Sequence, residues 1–138
     1  MKNTSPVLVC VTPQLSCEKL ISYGKELSSK LKCELCVVAS LKKDETAKNI
    51  SNALKVLNTL SKISESNIDI IYSNNAAKSL GSYINKVNPC HILIGNPIEG
   101  GRFFEEFMSN QYSAPVSIVN GEKEILYTLP ASNFEVMH

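Results

Sequence analysis

Cys90-His91-Ile92-Leu93-Ile94-Gly95-Asn96-Pro97-Ile98-Glu99-Gly100-Gly101-Arg102 is the stretch on which the fold turns. A short apolar run, Ile92 to Ile94, stops at a glycine. A turn-forming segment with Asn96-Pro97 and Gly100-Gly101 follows, and Phe103-Phe104-Glu105-Glu106-Phe107 can then open a helix. Apolar on both faces and bounded by turn residues, this reads as a buried parallel strand, a loop and a helix start. In an open α/β sheet, ligands bind at the loops that follow the carboxyl ends of the strands. Any small-molecule site is therefore expected on this loop and on the matching loop after the first strand.

The rest of the chain repeats the pattern. Val7-Leu8-Val9-Cys10-Val11 is a second continuous apolar run, preceded by Pro6 and ended by Thr12-Pro13. Ser16 stands where a helix N-cap belongs, with Glu18 in the first turn. Leu20, Gly24, Leu27 and Leu31 then recur at helical spacing, so a helix is expected over about 17–32. Leu35 to Ala39 is the next strand, followed by a polar loop from Ser40 to Thr46. A helix carrying Ile50, Leu54, Leu57 and Leu60 fades near Ser64. Ile68 to Tyr72 is a short third strand. Asn74 or Asn75 can cap a helix whose apolar face is Ala77, Leu80, Ile84 and Val87, and Asn88-Pro89 closes it. After the strand Cys90 to Ile94, a short helix over about 102–111 leads to a fifth strand, Pro115 to Val119. Strict alternation of strand and helix implies a parallel sheet covered by helices on both faces, a three-layer α/β/α sandwich.

The tail departs from that alternation. Asn120-Gly121 directly after a strand is a strong hairpin signal. Glu124 to Leu129 is expected to return as an antiparallel strand beside the fifth, stopped by Pro130. Residues 1–121 thus read as the α/β domain and 122–138 as a C-terminal extension, with its edge strand at 124–129.

Composition narrows the function classes. A chain of 138 residues fits one domain that buries its own core. A net charge of +1, with no concentrated basic face, leaves no electrostatic footprint for nucleic acid. No apolar run approaches the roughly 18 residues of a membrane span, and no signal-peptide pattern follows Lys2, so a cytoplasmic location is expected. Five cysteines, an odd number, in a chain of this size argue against a disulfide framework. Cys33-Glu34-Leu35-Cys36 has a redox spacing, but it enters a strand, where residues three apart point to opposite faces. Cys17, at a helix N-terminus, is a candidate reactive thiol. The two histidines, His91 and His138, lack convergent metal-ligand partners. Neither a nucleophile-elbow motif nor a phosphate-loop motif is present, so no enzyme is expected.

Val7-Leu8-Val9-Cys10-Val11-Thr12-Pro13 with Ser16-Cys17-Glu18-Lys19-Leu20-Ile21, Ile92-Leu93-Ile94-Gly95 and Ala114-Pro115-Val116-Ser117-Ile118-Val119 resemble the universal stress protein family. The variant most similar is the one found in KdpD-type sensor kinases. The likeness covers about residues 6–119. It implies a five-stranded parallel sheet of Rossmann-like type in the order 3-2-1-4-5, and a homodimer paired through the fifth strand or, here, through the C-terminal strand. One branch of the family binds ATP through Gly-x-x-Gly, about nine residues, then Gly-Ser/Thr. Gly95 matches the first glycine, Ile98 replaces the second, Gly101 matches a further one, and Met108-Ser109 stands at the closing position. The aspartate that the family carries after its first strand is replaced by Thr12. Some KdpD relatives bind cyclic di-AMP with a serine motif after the first strand and aromatic residues on the second; Ser16 remains, and Cys36 to Ser40 lacks the aromatics.

The resemblance implies an adenine nucleotide, ATP or AMP, held weakly. Thr12, Pro13, Ser16 and Val38 would line base and sugar, and Gly95, Gly100, Gly101, Arg102 and Ser109 would hold phosphate. Glycine amides and Arg102 suit an anion, whereas Glu99, Glu105 and Glu106 crowd the same loop, and isolated glycines also serve plain turns. Two readings stay open: a non-enzymatic nucleotide-binding module in stress response or signalling, and a protein–protein interaction or dimerisation domain that keeps the fold without the ligand.

Overall fold

β1 (Val7–Val11) and β4 (His91–Gly95) lie side by side at the centre of the sheet. Val7, Leu8, Val9, Ile92 and Leu93 have no exposed surface. Burial on both faces is what their unbroken apolar sequences require. The computed structural model describes residues 5–95, 106, 107, 109, 112–119 and the backbone of 125–129. The remaining elements are α1 (Cys17–Leu31), β2 (Leu35–Leu41), α2 (Ala47–Ser64), β3 (Ile68–Tyr72), α3 (Ala76–Val87), β5 (Val116–Val119) and β6 (Ile125–Leu129). The sheet order is β3-β2-β1-β4-β5-β6, and β1 to β5 are all parallel. The five-stranded order 3-2-1-4-5 and the α/β class are as the sequence implies.

Two cores flank the sheet. Val7, Val9, Val11, Val37, Leu93 and Val119 pack beneath Leu20 and Ile21 of α1 and Leu57 and Leu60 of α2. Leu8, Val38, Ile92, Ile94, Val116 and Ile118 pack against Ala77, Leu80 and Ile84 of α3 and against Phe107. Alternation along each strand sends neighbouring residues to opposite cores, as the pleat demands. Consecutive helices α1 and α2 therefore cover one face, while α3 and the segment around Phe107 cover the other.

β2 runs two residues past its expected end. Ser40 and Leu41 pair with Ile71 and Tyr72 of β3, and the Ser73 amide donates to the Leu41 carbonyl at 2.9 Å. Burial of the Leu41 side chain gives the polar-looking stretch a reason to stay in the sheet. α2 is capped by Thr46, whose hydroxyl accepts from the Asn49 amide, and α3 by Asn75, which accepts from the Lys78 amide. α1, α2 and α3 each end on a residue in the left-handed region that is not glycine: Lys32 (φ 56°), Glu65 (φ 53°) and Asn88 (φ 54°).

Glu106, Phe107 and Ser109 are helical, and the rest of the expected 102–111 helix lies outside the described residues. Phe107 is fully buried, and its ring sits 5.1 Å from that of Tyr112, whose hydroxyl donates to the Phe107 carbonyl at 2.7 Å. β6 pairs antiparallel with β5, with a register irregularity between Ile118 and Val119. The expected Asn120-Gly121 turn and the tail beyond 129 lie outside the described residues.

Candidate functional site

From β1 the chain moves outward to β2, and from β4 it moves outward to β5. The helix after β1 covers one face of the sheet, and the segment after β4 covers the other. The carboxyl ends of β1 and β4 are thus the switch point of the strand order, and the mouth above them is the place where open α/β sheets take ligands. Cys10 pairs with Ile94, so Thr12 and Gly95 emerge from neighbouring strands. A Cβ added at Gly95 would lie 3.9 Å from Leu20 Cδ2, which puts the end of β4 beside the first turns of α1.

Thr12 and Ser16 are exposed and Pro13 is half-buried on the β1 side of this mouth. Thr12 Oγ1 lies 3.6 Å from Cys17 Sγ. Ser16 occupies the N-cap position of α1, but its hydroxyl makes no capping hydrogen bond. Its backbone is already helical (φ −62°, ψ −18°), whereas a capping residue is extended so that its oxygen reaches the amides ahead. The preceding turn takes that role: the Cys17, Glu18 and Lys19 amides donate to the carbonyls of Gln14, Leu15 and Ser16. These amides are thus occupied, and Glu18 adds a negative charge in the first turn. The α1 terminus is therefore poorly suited to phosphate.

The other expected site residues separate. Val38 is fully buried in the α3-side core, so its side chain offers no surface to a ligand. Strand alternation sends it inward. Ser109 is exposed and donates to the Glu106 carbonyl at 2.7 Å. It lines a cleft of about 360 Å³ shared with Asn75, Lys78, Ser82, Asn85 and Glu106, and Thr12, Pro13 and Ser16 have no part in that cleft. Gly100, Gly101 and Arg102 lie outside the described residues.

Two features of this rim were not singled out from the sequence. Leu15 is 51% exposed beside Ser16, an apolar surface at the mouth. Its signal was a large aliphatic residue inside an otherwise polar turn. Ser40 sits near the carboxyl end of β2, and its Oγ is buried without a hydrogen-bond partner among the described residues. Such orphaned hydroxyls are uncommon in folded proteins. Assignment of Ser40 to a loop hid it.

Elsewhere, His91 and Ser117 share a hydrogen bond at 2.7 Å on the α1 side, and burial holds the His91 pKa below the ordinary histidine value. Burial pushes the Cys10 thiol up to about 12. The Tyr83 hydroxyl donates to Asp69 Oδ2 at 2.7 Å. Cys33 packs with the α1-side core and Cys36 with the α3-side core, the opposite-face arrangement expected for this pair. Among the described residues, no group of three His, Cys, Asp or Glu side chains is placed to hold a metal ion, and no helix is long and apolar enough to cross a membrane.

No protein-family model and no curated protein matches the sequence. Solved structures do match the fold. A universal stress protein from Archaeoglobus fulgidus in complex with dAMP superposes with a TM-score of 0.67 at 17% identity, covering 86% of this chain and 98% of that one. A universal stress protein in complex with cAMP gives a TM-score of 0.60 at 13% identity, over 86% and 98% of the two chains. A putative universal stress protein from Pseudomonas aeruginosa gives 0.69 at 13% identity, and there the match covers 86% of this chain but 48% of that one. With its parallel order 3-2-1-4-5 and its two-sided helical cover, the chain has the universal stress protein fold.

Proposed function

We propose that the chain is a non-enzymatic module that binds an adenine nucleotide weakly between the loop after β1 and the loop after β4. The observation that carries this reading is the switch in strand order at β1 and β4, whose neighbouring carboxyl ends lead into Thr12, Pro13, Leu15 and Ser16 on one side and end at Gly95 on the other. Structures of the same fold solved with dAMP and with cAMP support the choice of ligand class. In this reading the base and sugar lie against Thr12, Pro13, Leu15 and Ser16. The phosphates lie against Gly95, Gly100, Gly101 and Arg102, away from the occupied amides of α1. The replacement of the ATP-binding motif at Ile98 and the glutamates around Arg102 keep affinity low. A role in stress response or signalling follows from what occupancy of this mouth changes.

Calorimetric titration of nucleotide-stripped protein with ATP, AMP and cyclic di-AMP tests the proposal. Binding of any of them, weakened at least about tenfold by Gly101→Glu through added bulk and negative charge, is the expected result. Absence of heat with all three, at concentrations that would reveal even a millimolar site, overturns it.

A second reading rests on β6. This strand occupies the outer edge of β5, and a covered edge has no unpaired backbone groups to offer a partner. If the chain pairs with a second copy, the free side of β6 or an exchanged β6 carries the contact, as in a regulatory domain of sensor-kinase type. Light-scattering masses of the full chain and of a chain ending at Gly121 discriminate: identical assembly of both removes β6 from any such role.

A further inference from the structure

Cys33 and Cys90 are 57 residues apart in sequence, yet their sulfurs stand 3.9 Å from each other. Each backbone is pinned. The Cys33 amide donates to the Ser28 carbonyl at 3.0 Å in the turn that ends α1, and the Cys90 amide donates to the Pro6 carbonyl at 2.8 Å. The Val7 amide reaches the Glu34 carbonyl at 2.9 Å, so the two cysteines flank the start of β1, one on each side. Both side chains pack against the same α1-side core, and both are half-buried, which leaves them accessible to a small reagent. This is the amino edge of the sheet, opposite the proposed ligand mouth.

We propose that Cys33 and Cys90 form a redox-convertible pair, joined by one disulfide that staples the α1–β2 turn to the α3–β4 turn across the start of β1. The oxidant is a low-molecular-weight disulfide of the glutathione class. One protein thiolate attacks a sulfur of that disulfide and expels one small thiolate, leaving a mixed disulfide on the protein. The second cysteine loses its proton, attacks the protein-side sulfur and expels the second small thiolate. Two protein thiols become one S–S bond, one external disulfide becomes two thiols, and the two protons released end on those thiols. Burial, and then the hydrogen bond with Cys33, push the Cys90 thiol up to about 11. Attack therefore begins at Cys33, and Cys90 enters second, when its target is already held beside it. Closure brings the sulfurs from 3.9 Å to the roughly 2.05 Å of a disulfide.

Neither sequence spacing nor the Cys33-x-x-Cys36 motif announces this partnership. The sheet order creates it, by setting β2 and β4 on either side of β1.

The test uses the full chain, incubated with oxidised glutathione, alkylated, and digested at acidic residues so that cleavage after Glu34 separates Cys33 from Cys36. The expected product is a Cys33–Cys90 cross-linked peptide, with Cys10 and Cys36 recovered alkylated. The melting temperature rises by roughly 5–10 °C, because the bond closes a long loop in the unfolded chain, and a reductant reverses the rise. Cys90→Ser stops the reaction at a mixed disulfide on Cys33 and abolishes the rise. Recovery of Cys33 and Cys90 as separate alkylated or separately glutathionylated peptides in the wild-type chain overturns the proposal. So does a cross-link that prefers Cys10, Cys17 or Cys36.

Discussion

Gly24 of α1 lies directly over Val9 of β1: a Cβ built at residue 24 would stand 2.5 Å from Val9 Cγ2 and 3.1 Å from Leu35 Cδ1. Val9 is fully buried and branched at its β-carbon, so it cannot swing aside. This contact lets the helix settle onto the central strand. Alanine favours a helix over glycine by about 1 kcal/mol, but overpacking a tight core costs about 1–3 kcal/mol. Gly24→Ala is therefore expected to destabilise the protein by about 1–2 kcal/mol in urea denaturation. A stabilised variant would mean that α1 rides higher on the sheet.

Helix caps give a contrast between two residues that look alike in the sequence. The Thr46 hydroxyl accepts from the Asn49 amide at 3.2 Å, and Thr46→Ala should cost about 1 kcal/mol. Ser16 caps nothing through its side chain, and Ser16→Ala should change stability by less than about 0.5 kcal/mol. Equal losses in the two variants would restore Ser16 as a cap.

Phe107 anchors the segment after β4 to the α3-side core, with Tyr112 against its ring and bonded to its carbonyl. Phe107→Ala is expected to cost about 3–5 kcal/mol, the usual penalty for emptying a buried aromatic site. Tyr112→Phe, which removes only the hydroxyl, should cost about 1 kcal/mol. Denaturant midpoints at a constant m-value are the measure, and a small loss in Phe107→Ala would mean that this segment is not docked.

His91 predicts a pH dependence. Burial lowers its pKa in the folded state, so the unfolded chain, with an ordinary value of about 6.5, binds the proton more readily. The contribution of neutral His91 to stability is complete above about pH 6.5 and declines as pH falls through that value toward the folded pKa. In His91→Gln, which keeps a polar partner for Ser117, the fall in denaturation midpoint between about pH 7.5 and pH 5 should be smaller than in the wild type. An unchanged slope would assign the acid sensitivity to other groups.

The strands and helices were legible because their apolar residues repeat with unambiguous periods: Val7 to Val11 for a strand buried on both faces, Ala77, Leu80 and Ile84 for a helix. What escaped depends on neighbours in space. Ser40 looked like loop and is strand, because β3 supplies its pairing. Ser16 carried the composition of a cap, but the main-chain turn before it already satisfies the helix amides. Val38 fitted a family-derived pocket and lies in the core, because strand alternation points it inward. The proximity of Cys33 and Cys90 is a property of sheet order alone and leaves no local trace in the sequence.

Lys32, Glu65 and Asn88 hold a left-handed backbone that glycine adopts freely and that other residues adopt at a cost. Each site lies at a helix end just before the next strand begins, at the amino edge of the sheet, opposite the proposed ligand mouth. Lys32→Gly and Glu65→Gly should each raise stability by about 0.5–1 kcal/mol once the added flexibility of the unfolded chain is offset. The natural chain therefore stands below its attainable stability. A background carrying both replacements would tolerate disruptive changes at Thr12, Ser16 or Gly95 that the parent could not survive, so the mouth could be varied exhaustively without every loss of binding being confounded by unfolding.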